Sequence, residues 1–313
     1  MKAQILSTAT LLTIFSGTLP AVDPHLLNLV MPDAKVFAGV NVAQARTSPF
    51  GQYVLSQIQS QASEFDKMAA LSGFDPRQDV NELLAVSAAN SGEHSGLALA
   101  TGNFNVAAIT TFAAQHQAVT ETYKGVTILE DPKQSHGIAF LSTSVAAAGD
   151  VASVKGAIDR QSAASVLAAN LTVQLNQLSS TDDAWALTTV PPSSLHPPAN
   201  GPAIPGVGNG AQNALGTIQQ ASGGVKFGAN VTLTAQAQTD TAENATSIAG
   251  ILQLLANMAQ LQAQQNPAAM ALAKSLVVTA TGTTVNISAS IPEDQFQQLL
   301  KPSGKVHSHL EQR

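Results

Sequence analysis

The sequence predicts an α+β fold of two similar-sized lobes, each a mixed or antiparallel sheet with helices on one face. Segments of alternating apolar and polar residues read as strands, between stretches whose apolar residues recur at helical spacing. Turn signals join neighbouring strands directly, as antiparallel pairing permits. The order strand, helix, strands, capped helix, hairpin and terminal helix runs through both halves, which suggests an internal duplication.

Lys35 to Val42 alternates as a strand, and Ser48-Pro49 opens a helix, Ser as cap and Pro at the first helical position. Phe50, Val54, Ile58, Phe65 and Met68 carry that helix, and Gly73-Phe74 stops it. Asp79 and Glu82 form a capping pair for a short helix running into Leu83 to Ala88. Gly96 to Gly102 is a strand, and a helix opens at Asn105 with Ile109 and Phe112 inward. Val119 to Tyr123 and Gly125 to Leu129 form a hairpin over Lys124-Gly125. Ile138 to Leu141 and Val145 to Gly149 form another, and Asp150 caps a helix carrying Val151, Val154 and Ile158.

The second half opens with a strand, Ala184 to Val190, and enters a Pro/Gly-rich loop at 191–210. A short helix around Ala211 to Gln220 precedes strands at Val225 to Asn230 and Thr232 to Thr239. Asp240 and Glu243 cap a helix whose stripe of Ile248, Ile251, Leu252, Leu255 and Met258 reads as core packing, with a groove-binding or interfacial helix as the alternative. Leu276 to Thr281 and Val285 to Ile291 form a hairpin over Gly282-Thr283, and a helix with Phe296, Leu299 and Leu300 follows Pro292. The expected organisation is a signal peptide at 1–21, an N-terminal lobe at 22–178, a C-terminal lobe at 179–301 and a flexible tail at 302–313.

A chain of 313 residues can bury two ordinary cores. Charged residues are only 11%, so the surface must be neutral-polar, built from Ser, Thr, Asn and Gln. The net charge is −6 and the 14 Lys and Arg residues are scattered, which argues against nucleic acid and anionic lipid as partners. With aromatic residues at 4%, base stacking and aromatic sugar platforms have little material. The chain has no Cys, which excludes disulfides, thiolate nucleophiles, Cys-ligated metal centres and a lipid-modified cysteine.

Met1-Lys2 supplies a positive start, Ile5 to Leu19 an apolar, Thr-rich stretch, and Pro20-Ala21 a small-residue exit. The apolar run is short for a membrane span and reads as a secretory signal, imperfect in having Leu19 before the cleavage point. The expectation is an extracytoplasmic protein, periplasmic or secreted, with no membrane span after cleavage.

No local motif carries chemistry. Gly92-Glu93-His94-Ser95-Gly96 approaches a nucleophile elbow but has His at the nucleophile position, so Ser95 reads as a turn residue. His307 and His309 sit in the tail, and His25, His116, His136 and His196 stand alone at loops or element ends. Gly206-Val207-Gly208-Asn209-Gly210-Ala211 formally fits a phosphate loop, but no strand precedes it. Asp182-Asp183 and Glu130-Asp131 are adjacent carboxylates that alternate across a strand and read as solvated loop residues. Asn-x-Ser/Thr sequons begin at Asn170, Asn230, Asn244 and Asn286, as chance allows in so Asn- and Thr-rich a chain. The expected catalytic, cofactor-binding and metal residues are none, and no cofactor is expected.

Pro32-Asp33-Ala34, Gly39-Val40-Asn41-Val42, Ser48-Pro49-Phe50-Gly51 and Gly73-Phe74-Asp75-Pro76-Arg77 with Asp79-Val80 resemble a loose group of uncharacterised exported bacterial proteins. The resemblance covers residues 32–160. It implies an extracytoplasmic α+β protein and brings no catalytic residue with it.

The function expected from the sequence is non-catalytic: an envelope-associated or secreted protein that binds a protein partner or an apolar ligand between its lobes. The alternatives are an extracytoplasmic hydrolase with a dispersed site and a cell-surface structural protein. A cavity, a buried Ser/His/Asp cluster and a filled interface would respectively favour the three.

Overall fold

One antiparallel sheet runs through the computed structural model, which describes residues 22–58, 66, 69–88, 96–115, 118–131, 135–163, 167–191, 216–263 and 266–300. Its strands are β1 (Val36–Asn41), β2 (Val80–Ser87), β3 (Gly96–Gly102), β4 (Val119–Tyr123), β5 (Val126–Asp131), β6 (His136–Phe140), β7 (Val145–Asp150), β8 (Ala184–Thr188), β9 (Ile218–Lys226), β10 (Asn230–Thr239), β11 (Val277–Thr281) and β12 (Thr284–Pro292). They lie in the order β11-β12-β10-β9-β8-β1-β2-β3-β7-β6-β5-β4. The helices are α1 (Pro24–Leu29), α2 (Val42–Thr47), α3 (Pro49–Ile58), α4 (Pro76–Asp79), α5 (Val106–Gln115), α6 (Val151–Arg160), α7 (Ala169–Thr181), α8 (Ala242–Gln262), α9 (Pro267–Ser275) and α10 (Glu293–Leu300).

Strand side chains alternate, so the register sorts them onto two faces. Phe37, Leu84, Val86, Leu97, Leu99, Ala147, Trp185 and Leu187 share the first face. There they join Leu26, Val154, Ile158 and Leu175 from α1, α6 and α7 in the largest core. Each large apolar side chain buried this way contributes about 1.5–3 kcal/mol. The opposite face holds Ala146 and Val80 against Phe104 and Ile109 of the α5 region. Farther along the same face, Val278 and Val285 pack on Ala245, Ile248 and Ala249 of α8. The α9 and α10 helices continue that layer.

The α+β class agrees with the sequence, but the two halves share one sheet where two were expected, and helices flank both of its faces. The seam is the antiparallel pair β1–β8, with Gly39 opposite Trp185. The indole lies where a Cβ on residue 39 would project, so the glycine is what lets the ring cross the seam. On the opposite face Phe50 of α3 meets Phe227 at 5.0 Å and Phe296 of α10 at 5.1 Å between ring centroids, a second tie between the halves.

The hairpin turns fall where their glycines put them. Lys124 and Gly125 have φ of 48° and 83°, the pair of positive values that a two-residue turn between twisted strands needs. Asp150 caps α6 by accepting from the Ser153 amide at 2.8 Å, as expected. Three local readings are corrected. The helix expected up to Leu83–Ala88 is strand β2: the Asp79 carboxylate accepts from the Asp75 amide at 2.7 Å, and Asp75 itself caps the one-turn α4. The helix expected up to Gln220 gives way to β9, which begins at Ile218, and the strand placed at Val225 to Asn230 is the end of β9 and the start of β10. The cap of α8 is Thr241, which accepts from the Asn244 amide at 3.2 Å, while Asp240 holds the Asn244 side chain. The helices α1, α7 and α9 carry no expectation from the sequence. The signal segment, the loop at 191–210 apart from Pro191, and the tail lie outside the described residues.

Candidate functional site

Two cavities of similar size sit on opposite faces of the C-terminal strands. The first, of about 410 Å³, lies between β10, β12 and the helices α8, α9 and α10. Its wall is built from small side chains: Ala256, Ala259 and Ala263 on α8, Ala269 and Ala273 on α9. Their spacing of three or four residues puts them on one face of each helix, so both helices meet the sheet with alanine where a filled core would carry leucine. Leu233, Ile287 and Ala289 form the sheet side, and Leu272, Leu276 and Leu299 complete the enclosure. Among the described residues, Thr234 is the only one in the lining with a polar side chain. Such a cavity cannot compensate a buried charge, and it accepts hydrocarbon. It lies between the helix layer and the sheet within the C-terminal half, whereas the sequence reading placed a ligand between lobes.

The Ile248 stripe of α8 divides along its length. Ile248 is buried in the core and Leu252 packs against it, while Leu254, Met258 and Leu261 are exposed towards the cavity end of the helix. Of the stripe residues, Ile248 is buried, Ile251, Leu252 and Leu255 are half-buried and Met258 is exposed, so the stripe faces inward as far as Leu255.

The second cavity, a groove of about 430 Å³, lies where α7 overhangs the open face of β9 and β10. Its lining is mixed: Gln174 and Gln177 from α7, Gln220, Ser222 and Lys226 from β9, and Thr234 and Gln236 from β10 stand among the apolar Leu178, Leu187 and Ala235. The Gln220 amide donates to Gln174 Oε1 at 3.0 Å and closes one end.

Asp182 borders this groove, and it and Asp183 are both buried, which corrects their reading as solvated loop residues. Asp183 is neutralised locally, accepting from Lys226 Nζ at 2.9 Å and from the Phe227 amide at 2.6 Å. Asp182 accepts from the Thr181 and Thr234 hydroxyls at 2.7 and 3.4 Å. The other carboxylate pair also separates: Asp131 is exposed, and Glu130 turns towards Glu121, which is ion-paired with Lys155 at 2.7 Å. The Lys155 contact lowers the Glu121 carboxyl, and Glu121 in turn raises that of Glu130.

Of the single histidines, His25 and His136 are exposed, while His116, His196, His307 and His309 lie outside the described residues. So do Ser95 and the glycine-rich segment at 206–211. Among the described residues, no three His, Asp or Glu side chains come together as metal ligands would. Burial on β2 pushes Glu82 up to about 7, against the lowering effect of the Asp23 amide that donates to it at 3.3 Å.

Neither cavity was anticipated from the sequence. The alanine faces of α8 and α9 were a usable signal for the first, and the spacing of Leu171, Leu175 and Leu178 was one for α7, which walls the second.

The sequence matches no family model and no curated protein. Among solved structures, the fold is similar to that of TP0453. Its crystal form III matches with a TM-score of 0.55 at 10% identity, over 89% of this chain and 97% of that one. Crystal form I matches with a TM-score of 0.51 at 12% identity, over 90% and 97%. The class is thus an α+β protein built on a large antiparallel sheet, and at this identity the likeness extends to the fold alone. No described helix is long and apolar enough to cross a membrane.

Proposed function

We propose that this is an exported, non-catalytic binding protein that holds an apolar ligand in the cavity under α8, α9 and α10. One observation carries the reading: a volume of about 410 Å³ whose lining is hydrocarbon except for one threonine. A concave apolar surface of that size holds hydrocarbon against water, and an apolar occupant buries it. The ligand is hydrocarbon in the part it buries, since the walls offer no partner for a charge. Export rests on the sequence of residues 1–21 and on a Cys-free chain that stands on its core.

The test uses an uncharged fluorescent probe, N-phenyl-1-naphthylamine. The protein should take it up with increased emission, and Ala289→Phe, which projects a ring into the cavity from β12, should weaken uptake at least tenfold while leaving the far-UV spectrum unchanged. Equal uptake by the variant would place the probe elsewhere and remove the support for this reading.

A further inference from the structure

The groove on the other face carries an independent site. The end of α7 gathers negative charge without neutralising it. Asp182 is the C-cap residue of the helix, where the unpaired carbonyls of the last turn already make the potential negative and where cations, not carboxylates, are ordinarily stabilised. Its carboxylate is 5% exposed, and no Lys or Arg is among its partners.

The two hydroxyls that serve it are contested. Thr181 has one proton and is placed to give it to Asp182 or to the carbonyls of Gln177 and Leu178, at 3.0 and 3.2 Å. Thr234 has one proton to divide between Asp182 and the Gly224 carbonyl at 3.5 Å. A carboxylate accepts at roughly four lone-pair sites, so two shared protons leave it under-supplied. Lys226, which also lines the groove, is committed to Asp183 at 2.9 Å. Gly224 fits this arrangement, because the Asp182 carboxylate occupies the place where a Cβ on residue 224 would stand.

We infer that the groove between α7 and the β9–β10 face binds a small hydrophilic amine, with Asp182 as the acceptor of its ammonium group. An alkylammonium brings three donors and a positive charge, the two things the carboxylate lacks. Beside it, Gln177, Gln236 and Ser222 offer neutral donors and acceptors that suit hydroxyl or further amine groups on the ligand body, and Leu178 and Leu187 offer apolar surface to its carbon skeleton. Among the described residues no aromatic side chain lines the groove, which disfavours quaternary ammonium, whose recognition uses aromatic faces. The carboxylate and carbonyls at the helix end repel anions.

Calorimetric titration of the full chain tests this with putrescine and glucosamine, beside their uncharged counterparts 1,4-butanediol and glucose. At least one amine should bind ten times more tightly than its counterpart, and its affinity should fall with salt. Asp182→Asn should weaken that amine at least tenfold. Lys226→Met frees Asp183 and should leave binding intact or strengthen it, which keeps the inference testable should Asp182→Asn fold poorly. Equal affinity for the uncharged counterparts, no binding of either amine, full retention in Asp182→Asn, or loss in Lys226→Met would each overturn it. Uptake of N-phenyl-1-naphthylamine should be unaffected by either substitution, which separates this site from the apolar cavity.

Discussion

At Gly39 a single hydrogen atom decides whether the two halves of the sheet can close. The ring of Trp185 lies across this position at the centre of the β1–β8 pair, so a methyl group there must displace either the indole or the strand. Gly39→Ala should destabilise the protein by about 1–3 kcal/mol, the usual cost of overpacking, read as a lower urea midpoint and altered Trp185 emission. Glu82 is the second residue whose surroundings have a measurable consequence. With its carboxyl raised from 4.5 to about 7 by burial, the folded chain holds that proton more tightly than the unfolded one. Its contribution is therefore fully present below about pH 4.5 and is lost as pH rises through 7. Because Glu82 is only partly enclosed, the loss is about 1–2 kcal/mol after solvent screening. Glu82→Gln should flatten this decline, and an unchanged slope between pH 5 and 8 would rule the residue out as its source.

Among the elements, α8 and α9 combine two tasks. Ile248 and Ala249 anchor α8 to the strands, while the alanines from 256 onwards hold the remaining turns off the sheet and open the apolar cavity. The uptake experiment with Ala289→Phe belongs at this scale, because it fills the gap from the strand side and leaves the helix faces alone. Element identity was largely readable where one signal dominated: the Lys124-Gly125 and Gly282-Thr283 turns, the Asp150 cap and the Ser48-Pro49 helix start all fell close to expectation. It failed where two signals competed. Asp79 and Glu82 have the spacing of a cap, yet Leu84 and Val86 alternate with exposed neighbours, and pairing of β2 with both β1 and β3 outweighs a local capping preference.

For the whole molecule, the two halves form two arms of one sheet. In each, a three-strand meander (β1-β2-β3 or β8-β9-β10) is followed by helix, and a returning strand (β7 or β12) then pairs with the third. The arms meet at β1–β8, so neither has a closed edge by itself. Residues 22–178 alone would leave one edge of β1 unpaired and Phe37 without Leu187, and they should not give a stable monomer. Urea unfolding of the full chain should be a single transition, with Trp185 fluorescence and far-UV circular dichroism coincident. Two separated transitions would show that the arms fold independently.

Composition and periodicity were sufficient for the class of fold, for most of the strands and turns, and for the neutral-polar surface, because these follow from interactions within a few residues of the chain. The continuity of the sheet, the burial of Asp182 and Asp183 and both cavities depend on partners far apart in sequence. Gly39 meets Trp185, Asp182 meets Thr234, and Ala273 faces the same space as Ala289. A cavity is an absence of atoms between elements, and no local pattern records how closely two helices will approach a strand until the side chains between them are packed.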